Sequence, residues 1–63
     1  MNIETATREE LLIYQAELLA ELNQDLSPLE IGSRGMSMSE YRGLRDYQLR
    51  RLVAVNDRLL RMG

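Results

Sequence analysis

Apolar residues recur at three- and four-residue spacing in two long stretches of this chain, separated by a short stretch rich in glycine and serine. In the first stretch Leu11, Tyr14, Leu18 and Leu22 share one face, with Leu12 and Leu19 on its flank. That is the spacing of an amphipathic helix. Thr7 stands three residues before Glu10, the spacing at which a hydroxyl and a carboxylate cap a helix reciprocally. Glu9 and Glu10 also suit the positive end of the helix dipole. Together these predict a helix over about 8–24. Opposite its stripe lies a smaller ridge of Ile13, Ala16 and Ala20, which is expected to make a second helix contact.

In the second stretch Tyr41, Leu44, Leu52, Val55, Leu59 and Met62 line one stripe, interrupted by Gln48 and widened by Leu49, Val53 and Leu60. Ser37 and Glu40 repeat the capping spacing, and Met36 and Tyr41 occupy the two places of a hydrophobic staple. This predicts a second helix over about 38–61. Its stripe is wider than one short partner helix would cover, which points to contact between subunits.

The region between the helices reads differently. Pro28 forbids continuation of the first helix and pushes Ser27 towards extended geometry. Leu29-Glu30-Ile31 alternates apolar, polar, apolar, a short strand signal. Gly32-Ser33-Arg34-Gly35 supplies turn residues, and Met36 resumes a second strand. A simple helix–helix connection needs only a few residues, and about 13 lie between Gln24 and Met38. The expectation is a β-hairpin over about 29–36. The whole chain is then one α+β domain, helix, short β-hairpin, helix, with two antiparallel helices.

Length and composition sharpen this picture. At 63 residues the chain is one domain at most, and a core of that size is marginal alone. Such scaffolds are usually stapled by a disulfide, a metal or a partner. The chain has no Cys and no His, which removes disulfides, thiolate metal sites and the commonest general base. Oligomerisation or docking on a partner is left. No apolar run approaches the roughly 18 residues that span a bilayer, and the N-terminus is polar and acidic rather than a signal peptide. The expectation is a soluble protein made in the cytoplasm, with no membrane partner.

Charge is unevenly placed. Residues 1–31 carry one arginine and seven acids, net −6, whereas residues 32–63 carry seven arginines and three acids, net +4. Every cation is arginine, which favours planar bidentate contacts with carboxylate or phosphate. Arg50, Arg51, Arg58 and Arg61 are read as sharing the far side of the second helix, as charged assembly contacts. Arg34 is read as a contact at the hairpin tip. Two solvated faces of opposite sign attracting one another inside the hairpin is the plainer reading; an acidic half meeting the basic half of a neighbouring subunit, or arginines meeting nucleic acid, are the sharper ones.

Catalytic chemistry finds no residues here. There is no Ser/His/Asp or Cys/His set, no phosphate-binding glycine loop and no metal-ligand cluster. The paired acids Glu9-Glu10 and Glu17/Glu21 have the spacing of a solvated helix surface. The chain is read as a non-enzyme without cofactor or metal.

One stretch, "IGSRGMSMSEYRGLR", resembles the gpW-like head-completion (head–tail joining) proteins of tailed phages. Ile31, Gly32, Arg34, Met36, Ser37, Glu40, Tyr41 and Leu44 fall in order on the places of that family's strand, glycine–arginine turn, cap and second helix. The "EELLIYQAELLAEL" helix also resembles its first helix, so the resemblance covers roughly residues 7–61. It implies a structural virion protein at the head–tail junction. Such a protein docks as a ring beneath the portal protein, helps retain packaged DNA with non-specific contact to it, and offers a platform to the next connector or tail protein. The competing reading is a small helical-hairpin regulator that dimerises into a four-helix bundle and binds a host protein. A small nucleic-acid-binding protein is the third; it predicts steeply salt-dependent affinity for DNA.

Overall fold

Three helices begin with the same six-residue pattern: an apolar residue, a hydroxyl residue, two free positions, glutamate, and a second apolar residue. Ala6-Thr7 with Glu10-Leu11 opens α1 (Arg8–Leu22), Leu26-Ser27 with Glu30-Ile31 opens α2 (Pro28–Ser33), and Met36-Ser37 with Glu40-Tyr41 opens α3 (Met38–Met62). In the computed structural model, which describes residues 2–62, each hydroxyl accepts from the glutamate backbone N–H, at 3.2, 3.3 and 3.1 Å in turn. Each glutamate carboxylate reaches back to the N–H of its cap residue, at 2.9, 3.4 and 3.4 Å. These reciprocal bonds satisfy donors that the first turn leaves unpaired. The apolar residues on either side fall at the staple positions, with Ala6, Leu11 and Ile31 buried and Leu26, Met36 and Tyr41 half-buried.

The middle helix corrects the expected fold. Among the described residues there is no strand, and the chain is all-α rather than α+β. Residues 29–36 form no β-hairpin. Pro28 sits at the first helical position, where its missing N–H costs nothing and its φ is already helical. The Leu29-Glu30-Ile31 alternation spans too few residues to separate a period of two from a helical turn. In the structure Leu29 is exposed and Ile31 is fully buried. Gly35 is not a hairpin turn residue. It adopts φ 77° just past the end of α2, where its N–H bonds Gly32 O at 3.0 Å and the Met36 N–H bonds Ile31 O at 3.2 Å. That pair of bonds is a Schellman closure, which favours glycine because no Cβ meets the left-handed backbone.

α1 and α3 pack antiparallel, and α2 packs on α3 at the end where they connect. At 1.5 Å per residue the 25-residue α3 is about 38 Å long, and it sets the long dimension of a molecule measuring 42 × 16 × 16 Å. Leu11, Leu18 and Val55 form the spine of the core, with Tyr14, Leu52 and Leu59 packed against it. The core also takes in Ile3 and Ala6. They arrive from a tight N-terminal turn in which the Ala6 N–H bonds Asn2 O at 3.0 Å and the Glu4 N–H bonds Asn2 Oδ1 at 3.0 Å. No helix among the described residues is long and apolar enough to cross a membrane.

The two long sides of the hairpin as candidate interaction surfaces

The antiparallel register is pinned by side chains crossing between α1 and α3. Arg45 donates from Nη1 to Gln24 O and from Nη2 to Leu22 O, both at 2.9 Å. α1 has no basic residue in its own last turn, so Arg45 supplies from α3 the cation that the negative end of a helix favours. Tyr41 holds it there. Its hydroxyl accepts from Arg45 Nη1 at 2.9 Å, and its ring lies 5.6 Å from the guanidinium carbon. Further along, Gln48 donates to Glu21 at 3.1 Å and Arg51 Nε donates to the Tyr14 hydroxyl at 3.0 Å. Gln15 donates to Asn56 Oδ1 at 2.6 Å.

These bonds divide the hairpin into two unlike long sides. Tyr14, Glu21, Tyr47, Gln48, Arg51 and Arg58 lie on one of them. Arg51 covers the Tyr14 ring at 5.4 Å, a cation–π geometry, and the Tyr14 hydroxyl holds its guanidinium protonated beyond the usual arginine range. Arg58 reaches Glu4 O at 3.4 Å, which ties the N-terminal turn to α3. Its Nε is shielded from solvent and has no hydrogen-bond partner among the described residues. Near it Asn2, Ile3, Ala54, Asp57 and Arg61 line an open depression of about 490 Å³.

The opposite side carries the Gln15–Asn56 pair, and the residues around that pair are apolar. Leu12, Ala16 and Leu19 from α1 and Leu49, Val53 and Leu60 from α3 follow it at helical spacing, and all six are exposed. Arg8 lies at one end of this side and Arg42 and Arg45 at the other, and Asp46 and Asp57 border Val53 along its outer edge.

The arginines expected to form one basic face are split. Arg50 and Arg61 point outward, each paired one turn back, to Asp46 at 3.1 Å and to Asp57 at 3.2 Å. Ion pairs this exposed contribute little to stability. Arg51 and Arg58 are half-buried against α1 and the N-terminal turn. A seven-residue step brings a helix nearly back to the same face, as does an eleven-residue step, so 51 goes with 58 and 50 with 61. Arg34 caps the end of α2, where its N–H bonds Glu30 O and Ile31 O, both at 3.2 Å. Ile13, Ala16 and Ala20 are all exposed. Ile13 and Ala20 face away from α3, whereas Ala16 lies on the leucine side.

Sequence reasoning named most of the leucine side but placed it on the flanks of the core. It passed over Arg45, Gln15 and Asn56 altogether. For Arg45 a signal existed: a cation on the apolar side of α3, one turn after Tyr41, opposite a helix without a basic last turn.

Among the described residues no group of His, Cys, Asp or Glu could hold a metal ion. No family model, no curated protein and no solved structure matches the chain.

Proposed function

We propose that this chain is a non-enzymatic interaction module, a helical hairpin that works by docking its leucine side on another helical surface. One observation carries the reading. The polar side ties Arg51, Arg58 and Gln48 to acceptors within the chain, whereas the leucine side leaves Leu49 50%, Val53 67% and Leu60 82% exposed. Exposed apolar residues standing singly mean little, but a contiguous apolar patch rimmed by polar residues marks an interaction site. α1 adds to this, because it carries apolar residues on its inward face, its leucine flank and its outward ridge alike. A helix apolar on so many sides is usually covered on more than one.

The test is a photo-crosslinking amino acid placed at Val53, and separately at Glu17 on the polar side, in cells making the protein. A protein adduct from position 53 and none from 17 is the expected outcome. Adducts from neither position, or from both equally, would remove the docking role from the leucine side.

The head-completion role is the second reading, and its support is the sequence resemblance. The β-hairpin that the resemblance implied is absent, and its motif falls on the end of α2 and the start of α3, where two caps account for Gly35, Ser37 and Glu40. In this reading the chain is a virion protein at the head–tail junction that assembles as a ring on a portal protein. Light scattering on the chain alone, and then mixed with the portal protein from the same genome, separates the two. A monomer that forms a ring only on the portal supports head completion, and association indifferent to the portal supports the interaction module.

A further inference from the structure

The leucine side has a size, a charge setting and a polar centre that together specify one occupant. We infer that a second copy of this chain covers it, forming a two-fold four-helix bundle in which α1 of each copy seats on α3 of the other. This inference rests on the docking role proposed above and adds the partner's identity and its register.

Area is the first argument. The whole long side, its charged ends included, measures 42 by 16 Å, a footprint of about 700 Å² against the roughly 800 Å² per partner of a standard stable interface, and the six apolar residues occupy its middle. The second copy needs no further segment to fill that area. A single added helix would cover only about half the width, since packed helices stand roughly 8–10 Å apart.

Charge is the second argument, and it selects the pairing. α1 carries one arginine and four glutamates, net −3, and α3 carries six arginines and three acids, net +3. A two-fold axis running along the bundle lays α1 of one copy beside α3 of the other, helices of opposite net charge, with Glu21 and Arg51 themselves on the polar side away from the seam. An axis across the helices would lay α1 beside α1, two helices of like net charge. The chosen arrangement also keeps neighbouring helices antiparallel.

The Gln15–Asn56 pair is the third argument. It bridges α1 and α3 near the middle of an otherwise apolar side. With the axis along the bundle, the pairs of the two copies meet at the same height as one layer of four amides. A single polar layer in an apolar seam fixes register and partner number, because any slip leaves amides buried without partners. The same axis sets Leu19 against Leu49 of the other copy and Ala16 against Val53, a small residue facing a larger one.

Sedimentation equilibrium of the full chain over a wide range of concentration is the deciding experiment, with Val53→Glu and Ala54→Glu as paired variants. The two substitutions add the same charge to adjacent exposed positions of α3 but on opposite sides of the hairpin. The wild-type chain is expected at the mass of two chains. Val53→Glu should weaken association at least about tenfold, which is about 1.4 kcal/mol, and Ala54→Glu should leave it unchanged, with helical circular dichroism retained in both. Equal effects of the two substitutions, or a single-chain mass for the wild type at every concentration, would overturn the inference. A single-chain mass together with a crosslink from position 53 to a different protein would leave the docking role standing and remove only the second copy.

Register is read separately. The chain has no cysteine, so Leu19→Cys and Leu49→Cys chains can be mixed under mild oxidation without a background. A disulfide joining the two different variants is expected. Disulfides only between identical variants would overturn the pairing of α1 with α3.

Discussion

The two long sides of this hairpin are built from the same two helices, and they have been finished differently. On the polar side Arg51, Arg58 and Gln48 each find an acceptor within the chain, on Tyr14, Glu4 and Glu21. On the leucine side one amide pair is satisfied and the exposed residues around it are Leu, Val and Ala. Hydrogen bonds contribute a modest net amount each when made and cost more when left unmade, so the polar side is held mainly by contacts within one chain, with Arg58 Nε left over among the described residues. Apolar area left in water is stabilising only when something covers it. On the proposed reading, the contrast marks the side that a partner would cover.

Several substitutions would break or sharpen that contrast. Leu11 is fully buried between both sides, and Leu11→Ala should cost about 3 kcal/mol by lost burial and the cavity left behind. In a domain this small that is a large share of the stability, so urea titration followed by circular dichroism should show a much earlier transition. A transition left in place would mean that the spine is not shared by the two sides. Arg45→Ala comes next, at about 2 kcal/mol, because two carbonyls at the end of α1 lose a charged donor. Hydrogen exchange should then accelerate at the amides of the last turn of α1 and not at the start of α3.

Tyr14→Phe probes the polar side alone. It keeps the ring under Arg51 and removes only the hydroxyl acceptor, for about 1 kcal/mol, and the mass of the assembled species should not change. A loss of association on this substitution would blur the distinction between the sides. Ser37→Ala tests the corner that both sides depend on, and losing this N-cap should also cost about 1 kcal/mol in thermal or denaturant unfolding.

The smallest effect concerns acid. The Thr7 backbone N–H, and then its hydroxyl, hold the Glu10 carboxyl below the usual glutamate value. A depressed folded value means that the stabilisation is present above the unfolded value and is lost as pH falls through the folded one. Glu10→Gln keeps an acceptor at the cap but cannot titrate. Its stability should therefore fall less steeply than the wild type's as pH drops below the ordinary glutamate range, as read from denaturant midpoints.

Much of the fold was legible. The caps at Thr7 and Ser37 are where the sequence put them, and the helices they open run close to the expected 8–24 and 38–61. The third cap was equally written, in Ser27, Pro28 and Glu30, but the strand-like alternation of Leu29-Glu30-Ile31 was read ahead of it. Three residues cannot distinguish the two periods, whereas a proline at the first helical position between a serine cap and a glutamate three residues on can. The core contribution of Ile3 and Ala6 could not be read the same way, because it depends on an N-terminal turn folding back along α3. The leucine side was visible only as flanks of two stripes, since one helix's spacing does not reveal which of its apolar neighbours the other helix will cover.

The sequence by itself determined where each helix starts, because a cap is a contact between residues three apart and needs nothing else in the molecule. It also determined that the chain has more apolar helix surface than two short helices can hide from water. The tertiary structure decided the rest: which arginines turn inward, that Arg45 closes the end of a helix it does not belong to, and which six apolar residues are left facing solvent on one side. Those outcomes depend on the crossing of α1 and α3. That crossing is settled by packing between residues some 20 to 50 positions apart, a distance over which local spacing carries no information.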